Sequence, residues 1–536
     1  MPPWLRTGLL LLALGAPLVP VALVPMPLLF DYHNHFARLW LLMGGAAQHP
    51  LAAMYAVDWS GAATNIGIDL VAVAFAGLLE AETLLPVLLG VALILPPIGL
   101  VMLHRAVFGG WHWWQAGFGV LAWNTTVLEG FLNFHIGLGL VLLAAAADAT
   151  LRAWPATAVF ATRAAIAAVA LVVHPFAAFF YAVLLAALAL GPQPFGRRPS
   201  RRLRAAIWAG AAAALPVLLL VLFAPALPGA DQPAGQRIMW TGYAPRAKAD
   251  MLLSAIWTYG LKRDLAFVAL FAAPIGWALM RRQLAVHGGL MLAVVGLVVL
   301  ALITPAKVAG AWQADARFPA MALLAGVAAL RPGLGLPRPR TEAALVGALV
   351  LLVCLRAGWI LSIWQERRAD VAAVERVLAH VPPGAAVLPM EHRFDWEFWQ
   401  PGMARPPRGR HVGPGHPATW HLATLAVPRR HAFVPTLFAA RGKQPLRVLP
   451  PWAEIAQQDA EIVSAGLLPD PDPELLRRSS ADYVRHWRTR FDYLLLLNAD
   501  LPDAAGGLPD LPELELLQDA GFARLYRIGR PASGPP

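Results

Sequence analysis

Residues 84–103 read LLPVLLGVALILPPIGLVML, twenty residues without a single charged side chain. A helix needs about 20 apolar residues to cross the hydrocarbon core of a bilayer, so this stretch is long enough for one crossing. Comparable stretches recur over the first two thirds of the chain. The twelve segments that we expect to cross are 7–29, 66–79, 84–103, 116–128, 131–147, 157–173, 175–191, 205–227, 265–280, 286–304, 318–331 and 343–363.

The composition of the whole chain also indicates a membrane protein. Its 536 residues are 58% hydrophobic and 14% charged, whereas a soluble domain carries about 25% charged residues. Soluble cores stop growing beyond about 250–300 residues, so this much apolar sequence indicates contact with lipid. The sequence predicts a polytopic α-helical membrane protein with the lipid bilayer as its surroundings.

The net charge of +11 could suggest a nucleic-acid partner, but the arrangement of the charges argues against one. No basic stripe interleaved with aromatic residues runs along the chain, so nucleic-acid binding is excluded. Instead, arginines concentrate in one loop between two apolar stretches, as cytoplasmic loops do. The five arginines of this loop are Arg197, Arg198, Arg201, Arg202 and Arg204.

The orientation of the chain in the membrane follows from the same preference of arginines for cytoplasmic loops. The Arg197–Arg204 loop, Arg281–Arg282 and the Arg331–Arg340 loop are expected in the cytoplasm, and 228–264 and 305–317 outside it. The segment after Trp364 is then external. With the N-terminus inside, this requires an odd number of crossings, so we expect eleven or thirteen. The span that alters the count is expected between His104 and Gly130, where polar and tryptophan residues interrupt the apolar sequence.

The amino-acid composition changes after Trp364, where charged residues and prolines become frequent. A helix is expected over Glu366–His380, strands over Ala385–Pro389, Phe491–Leu497 and Ala523–Ile528, and a loop over Pro401–Pro417. These elements predict a small extracytoplasmic α/β domain over 364–536. It follows a bundle over 1–363 that carries a first external loop at 30–65. The only cysteine, Cys354, excludes an intramolecular disulfide.

The first external loop is the most informative segment for function. Asp31, His33, Asn34, His35 and Arg38 fall within eight residues. Ionisable groups at a membrane boundary are costly unless they line a wet cavity, so these side chains are functional candidates. If Asp31 begins a helix, it would stand at the N-cap. The alternative is an interfacial helix with a cap and solvated charges.

Further polar residues are expected on the same membrane side. A lone asparagine or histidine within a bundle usually forms a helix–helix hydrogen bond, but together these residues suggest a polar cavity that opens outward. They are Asp58, Asn65, Asp69, Glu129, Asn133, His135, His174, Asp315 and Arg317.

No cofactor is clearly indicated, and a divalent metal is one possibility. His33, His35 and an aspartate could ligate such an ion. On a helix, however, the two rings of a His-X-His sequence point about 200° apart, so they could share an ion only in an extended segment. The histidines of the C-terminal domain have irregular spacing in a loop-rich stretch and form no recognisable motif: His411, His416, His421 and His431.

An outward polar cavity of this kind suits glycosyl transfer from a lipid-linked donor. An external carboxylate would take the proton from an acceptor hydroxyl group. An arginine such as Arg317 or Arg38 would neutralise the departing phosphate, because its planar fork matches phosphate oxygens.

The order of these features resembles the GT-C superfamily of integral-membrane glycosyltransferases. In that family one span leads into an external loop that begins with an acid, and a many-span bundle and a C-terminal extracytoplasmic domain follow. The matched acid falls on Asp31, with Asp58 as a second acid in the same loop. A single acid beside histidine and asparagine stands where several GT-C enzymes have two adjacent acids. Three stretches also resemble a bacterial family of multi-spanning proteins: Asp31–Arg38, Gly130–Phe134 and Asp315–Arg317.

The resemblance implies a catalytic role for Asp31 and Asp58. It implies a polyprenyl-phosphate-sugar donor, a glycan, lipid or protein acceptor, and a bacterial inner membrane as the location. The residues expected to bind substrate are His33, Asn34, His35, Arg38, Asn65, Asp69, Glu129, Asn133, His174, Asp315 and Arg317.

Two other functions are compatible with the sequence. A transporter or flippase of lipid-linked sugars would have polar or broken spans and often an internal repeat; no repeat is visible. A non-catalytic membrane assembly protein would tolerate free substitution of the first-loop polar cluster.

Overall fold

The computed structural model describes residues 2–196, 199–223, 238–240, 245–308, 311–333, 339–394, 405–440, 442–457, 461–503 and 506–529. The structure is 61% helical and divides into two compact units. The first unit comprises Met1–Pro25, Ala63–Ile68 and Pro86–Leu361. The second comprises Met26–Ala62, Asp69–Leu85 and Ser362–Pro536. The first loop therefore belongs to the same compact unit as the C-terminal third of the chain.

The described residues contain seven helices that are long and apolar enough to cross a membrane. They are Pro3–Leu23, Ala81–Phe108, Leu132–Leu151, Ala156–Val173, Pro199–Phe223, Leu261–Met280 and Arg340–Leu378. Three further apolar helices are shorter: Pro175–Leu190, Gly288–Ile303 and Arg317–Ala329. Ten of the twelve expected segments thus coincide with apolar helices, which agrees with a polytopic helical protein. Parts of several predicted features lie outside the described residues: 224–227 of one span, Arg197, Arg198 and 334–338 of two arginine-rich loops, and 228–237, 241–244 and 309–310 of two expected external loops.

The other two expected spans have different structures. Segment 66–79 contains only the nine-residue helix Gly67–Phe75, which is about 14 Å long and too short for a crossing. Segment 116–128 lies in a 3₁₀ helix, Trp113–Ala122, and a single α-helical turn, Thr125–Leu128, and every residue of both is buried. The apolar run there reflects burial inside the first unit, which hydropathy alone does not distinguish from burial in lipid.

Glycines explain why this 3₁₀ helix packs so closely. A Cβ atom on Gly119 would lie 2.4 Å from the carbonyl oxygen of Ala13, and one on Gly117 would lie 2.8 Å from the Phe271 ring. Only residues without a side chain fit at these two contacts.

The first unit also contains a nine-residue helix, two short 3₁₀ helices and two small antiparallel strand pairs. Their bounds are Pro245–Leu253, Ala16–Leu18, Asp148–Ala153, Ile238–Met239 with Lys307–Val308, and Leu284–Val286 with Leu330–Pro332.

One continuous helix of 40 residues, Pro339–Leu378, replaces two expected elements. The sequence predicted a span over 343–363 and a separate helix over Glu366–His380. The change from apolar to charged residues near Trp364 indicated a break, but no proline or glycine follows there to end the helix, and the backbone continues without interruption.

The C-terminal residues form a four-stranded sheet. Its order is Leu514–Asp519, Ala523–Ile528, Tyr493–Leu497 and Val387–Glu391. The last two strands are parallel and the other neighbours are antiparallel. The three predicted strands are all present: one is shifted by two residues, one begins two residues later than predicted, and Ala523–Ile528 has the predicted bounds. Leu494 to Leu497 are fully buried, as expected for a central strand that is covered on both faces.

The first loop is integrated into this second unit by main-chain pairing. Its helix, Tyr32–Leu42, is followed by the strand Tyr55–Val57, which pairs antiparallel with Leu446–Val448. The remaining short elements of the unit are Gly45–Ala47, Leu51–Ala53, His411–Val412 with His416–Pro417, Leu422–Leu425, Ala426–Arg430, Trp452–Glu454, Ala465–Leu467, Pro473–Arg478, Asp482–His486 and Trp487–Arg490. Residues 401–404 of the expected loop lie outside the described residues.

Candidate functional site

Asp31 stands immediately before the first-loop helix, at the predicted N-cap position, but its side chain forms no capping hydrogen bond. The reason is its backbone, which is already helical (φ −85°, ψ −7°), whereas a capping side chain requires an extended N-cap residue. The carboxylate is therefore available for other contacts. The Asp31 side chain is 13% exposed, so it is largely enclosed but still reachable by solvent.

The residue that faces Asp31 is His421, which follows it by 390 positions in the sequence. The imidazole Nε2 lies 3.4 Å from Oδ1 of Asp31. The ring itself is enclosed by aromatic neighbours, with centroids 5.2 Å from Phe30 and 5.0 Å from Phe438. His421 is 4% exposed, so its ring has little freedom to turn away from the carboxylate.

Asn34, one helical turn after Asp31, is fully buried and binds the other nitrogen of this imidazole. Its Oδ1 accepts a hydrogen bond of 2.8 Å from the backbone N–H of Phe438. Its Nδ2 donates one of 2.9 Å to the carbonyl of Thr436 and another, 3.1 Å long, to Nδ1 of His421. Asp31, Asn34 and His421 thus form one connected polar cluster, which we call the Asp31 cluster.

The two first-loop histidines have different surroundings. His33 is fully buried; burial, and then the nearby His421, lower its pKa to about 3. His33 is therefore uncharged at neutral pH. His35 packs its ring 5.7 Å from that of Phe438. Both residues lie on the helix Tyr32–Leu42, and among the residues that the structure describes no group of three or more His, Cys, Asp or Glu side chains could hold a metal ion.

Arg38 and Asp69 form an ion pair inside the second unit. Nε of Arg38 lies 2.7 Å from Oδ1 of Asp69, and Nη2 lies 3.1 Å from Oδ2. Their side chains are 1% and 0% exposed. Because each charge neutralises the other, this geometry favours a structural role for the pair.

Asp58 lies just before a turn and forms hydrogen bonds within it. Its Oδ1 accepts hydrogen bonds from the Ser60 backbone N–H at 3.0 Å and from the Ser60 hydroxyl at 2.6 Å. Its Oδ2 is 3.7 Å from Nε of the exposed Arg447. This is the environment of a turn-forming aspartate.

In the first unit, Asn133 organises the start of a helix. Its Oδ1 accepts a 2.8 Å hydrogen bond from the N–H of Ile68, and its Nδ2 donates 2.7 Å to the carbonyl of Asn65. Asn65 has a positive φ of 60°, a conformation that asparagine tolerates better than most residues. The two asparagines that the sequence singled out therefore meet, and they fix the backbone.

Glu129 and Arg317, two residues of the first unit that the sequence predicts to bind substrate, are connected through Gln313. Arg317 donates to the carbonyls of Trp312 and Gln313 at 2.6 and 2.8 Å and lies 4.5 Å from the centre of the Phe131 ring. The side chain of Gln313 donates to Glu129 at 2.8 Å. These contacts bring Glu129 and Arg317 to the same neighbourhood.

Asp315, His174 and His135 each have a nearby partner. Asp315 is 3.0 Å from the amine of Lys248. His174 caps the helix Pro175–Leu190, since its Nδ1 accepts from the N–H of Phe176. His135 lies 2.9 Å from the Thr126 hydroxyl. The asparagine and histidine contacts are those expected for polar groups that hold helices together.

A second polar contact of the second unit, between Glu391 and Trp420, was not predicted from the sequence. Glu391 ends a parallel strand and is fully buried, and burial raises its pKa to about 8. It accepts a 3.1 Å hydrogen bond from the indole N–H of Trp420. The Trp420 ring lies 5.4 Å from that of Phe30. Glu391 thus supports the segment that carries His421.

No family model, curated protein or solved structure matches this chain. The GT-C resemblance therefore depends on the residues named above. Of those residues, the structure brings Asp31 and Asn34 together around His421, pairs Arg38 with Asp69, and joins Asn65 to Asn133.

Proposed function

We propose that this protein is a membrane glycosyltransferase that uses a polyprenyl-phosphate-linked sugar and carries Asp31 as its catalytic base. One observation supports this assignment above the others. The Asp31 carboxylate is largely enclosed, is not used as a helix cap, and lies 3.4 Å from an imidazole nitrogen. Because the side chain does not cap the helix, its carboxylate faces His421 instead, and the proposed role as a base uses this carboxylate.

The proposed reaction is a direct transfer. Asp31 removes the proton from an acceptor hydroxyl group as that oxygen bonds to the anomeric carbon of the donor sugar. The bond between the anomeric carbon and the phosphate oxygen breaks, and its electron pair stays with the phosphate. The products are the new glycoside and the polyprenyl phosphate, and Asp31 returns its proton to water. General base catalysis of this kind contributes about 10²–10⁴-fold to a rate.

We further propose eleven crossings of a bacterial inner membrane, with the C-terminal residues on the extracytoplasmic side. The count takes the ten apolar helices and adds the segment 113–128, while the short helix Gly67–Phe75 does not cross. A 3₁₀ segment can lie at membrane depth only where protein covers it, and all residues of Trp113–Ala122 are buried. Eleven is odd, which agrees with the arginine distribution.

The function is tested with purified full-length protein in nanodiscs. The probes are polyprenyl-phosphate monosaccharides with a tritiated sugar, and the acceptor pool is a cell-envelope fraction from a strain that lacks the protein. We expect release of polyprenyl phosphate together with tritium in a new covalent product. If the donor instead crosses the bilayer chemically intact, the protein is a flippase, and if the donor is neither cleaved nor moved, the catalytic proposal is wrong.

A further inference from the structure

We propose that His421 and Asn34 are positioning residues for the Asp31 carboxylate. In this arrangement, Asn34 fixes the protonation pattern of the His421 ring, and the ring holds the carboxylate through Nε2–H. This inference depends on the proposed function only for the role of Asp31 as base. The arrangement of protons follows from the contacts alone.

The orientation of the Asn34 amide is determined by two backbone groups. The N–H of Phe438 can only donate, so the atom 2.8 Å from it is the amide oxygen. The carbonyl of Thr436 can only accept, so the atom 2.9 Å from it is the amide nitrogen. A reversed amide would place donor against donor and acceptor against acceptor in a fully buried position.

The orientation of the amide then determines the state of the ring. The Asn34 nitrogen has only hydrogens to offer, so Nδ1 of His421, 3.1 Å away, must accept. The proton of the neutral ring is therefore on Nε2, the nitrogen that faces Asp31. A second proton on Nδ1 would place a donor against the donor group of the Asn34 amide.

A neutral donor serves a catalytic carboxylate in a specific way. It orients one oxygen of Asp31 without cancelling the negative charge, which an arginine or a lysine would do. The other oxygen remains able to take a proton. His33, which interacts with His421, is uncharged at neutral pH, so this neighbour adds no positive charge beside the ring.

The backbone of His421 is held as firmly as its ring. The Thr424 hydroxyl donates a 2.6 Å hydrogen bond to the His421 carbonyl, and Phe30 and Phe438 enclose the ring. The geometry is thus assembled from the first loop and from a segment nearly 400 residues later. Its function would be to keep the carboxylate in one position.

The protonation pattern is tested first, without any enzymatic assay. Full-length protein labelled with ¹⁵N-histidine is placed in nanodiscs, and the His421 signals are assigned by their loss in His421→Asn. Two-bond couplings between the ring nitrogens and the protons on the ring carbons distinguish Nδ1 from Nε2. At pH 7 we expect an unprotonated Nδ1 and a protonated Nε2. A proton on Nδ1, alone or together with one on Nε2, would overturn the inference.

The positioning role is tested by two conservative variants of His421. Glutamine can place an amide N–H near the Nε2 position and donate to Asp31, whereas asparagine reaches only the Nδ1 position. We expect His421→Gln to retain at least tenfold more donor turnover than His421→Asn, with the KM for the polyprenyl-phosphate sugar unchanged in both. The exposed His380, changed to asparagine, controls for the loss of an imidazole in the same unit.

Equal losses of turnover in the two folded variants would mean that His421 acts only structurally, which also overturns the inference. The two tests separate the inference from the function. If wild-type protein cleaves no donor but shows the expected protonation pattern, the glycosyltransferase proposal fails while the geometry stands. If wild-type protein transfers sugar with a different pattern, only the positioning role fails.

Discussion

The indole N–H of Trp420 donates a 3.1 Å hydrogen bond to the carboxyl group of Glu391, which lies fully buried at the end of a parallel strand. This contact joins the central sheet to the segment that presents His421. Burial is the main cause that raises the pKa of Glu391 to about 8. The nearby Asp503 and Glu461 raise this pKa further, whereas Arg393 lowers it. The carboxyl group is therefore mostly protonated at neutral pH.

Glu391 should make the protein less stable as pH rises. Its pKa is about 8 in the folded state and about 4.3 in an unfolded chain, so the folded state binds more protons between these values and stability falls with increasing pH. Between pH 5.5 and 7.5 the loss is about 2–3 kcal/mol. Glu391→Gln should remove it, raising the thermal unfolding midpoint at pH 7.5 by about 5–10 °C. An unchanged difference between the two pH values in this variant would contradict the prediction.

His33 should have the opposite effect. Its folded pKa of about 3 lies below the value of about 6.5 in an unfolded chain. The unfolded state therefore binds more protons between pH 6.5 and 3, and stability falls as pH decreases. From pH 7.5 to 5.5 the loss is about 1.4 kcal/mol. Thermal unfolding of His33→Leu across this range should show a smaller acid destabilisation than wild type, and a slope equal to that of wild type would show the prediction to be wrong.

Arg410 should be essential for the stability of the second unit. It is 3% exposed and lies within 2.9 Å of Asp370 and within 2.7 Å of Asp500. Arg410→Gln removes the guanidinium that joins Asp370 to Asp500 and leaves Asp370 paired with Arg367, so it should cost about 1.5–3 kcal/mol. The matched control is Arg527→Gln, whose ion pair is exposed and should be worth at most about 1 kcal/mol. Similar unfolding midpoints for the two variants would contradict this ranking.

The Arg38–Asp69 pair should affect folding and not substrate binding. Arg38→Met leaves a buried carboxylate unpaired and should destabilise the protein by about 3–5 kcal/mol. Arg38→Met combined with Asp69→Leu should recover most of that loss and should retain the wild-type KM for a polyprenyl-phosphate sugar. A raised KM in the stable double variant would show instead that Arg38 binds the donor.

Most of the membrane helices could be predicted because a span is a local property of about 20 consecutive residues. For Trp113–Ala122 the sequence predicted an ordinary apolar span, but the segment is a 3₁₀ helix that is buried in protein, and an apolar composition does not show whether protein or lipid buries it. The span over 343–363 and the helix over Glu366–His380 were predicted as two elements for a related reason: the composition changes near Trp364 while the helix continues to Leu378.

The candidate site could be predicted only in part. The first-loop residues were recognisable because five polar side chains occur together at a membrane boundary. His421 was not, because it is 387 residues from Asn34 and no spacing rule connects them. The expected cap at Asp31 was correct in position but not in contact, since capping depends on a backbone angle that the sequence does not specify. The sequence alone does not distinguish Asp58 from Asp31, because both are aspartates of the first loop. The hydrogen bonds from Ser60 to Asp58 distinguish the two.

The most direct test of the proposed base is donor turnover by Asp31→Asn beside Asp519→Asn, an identical change at an exposed position of the second unit. Both variants are measured as folded protein in nanodiscs with the tritiated polyprenyl-phosphate sugars and the envelope acceptor fraction. Asp31→Asn should lose at least about 100-fold in transfer, while Asp519→Asn should match wild type. Transfer by folded Asp31→Asn at the wild-type rate would contradict the assignment of Asp31 as the catalytic base.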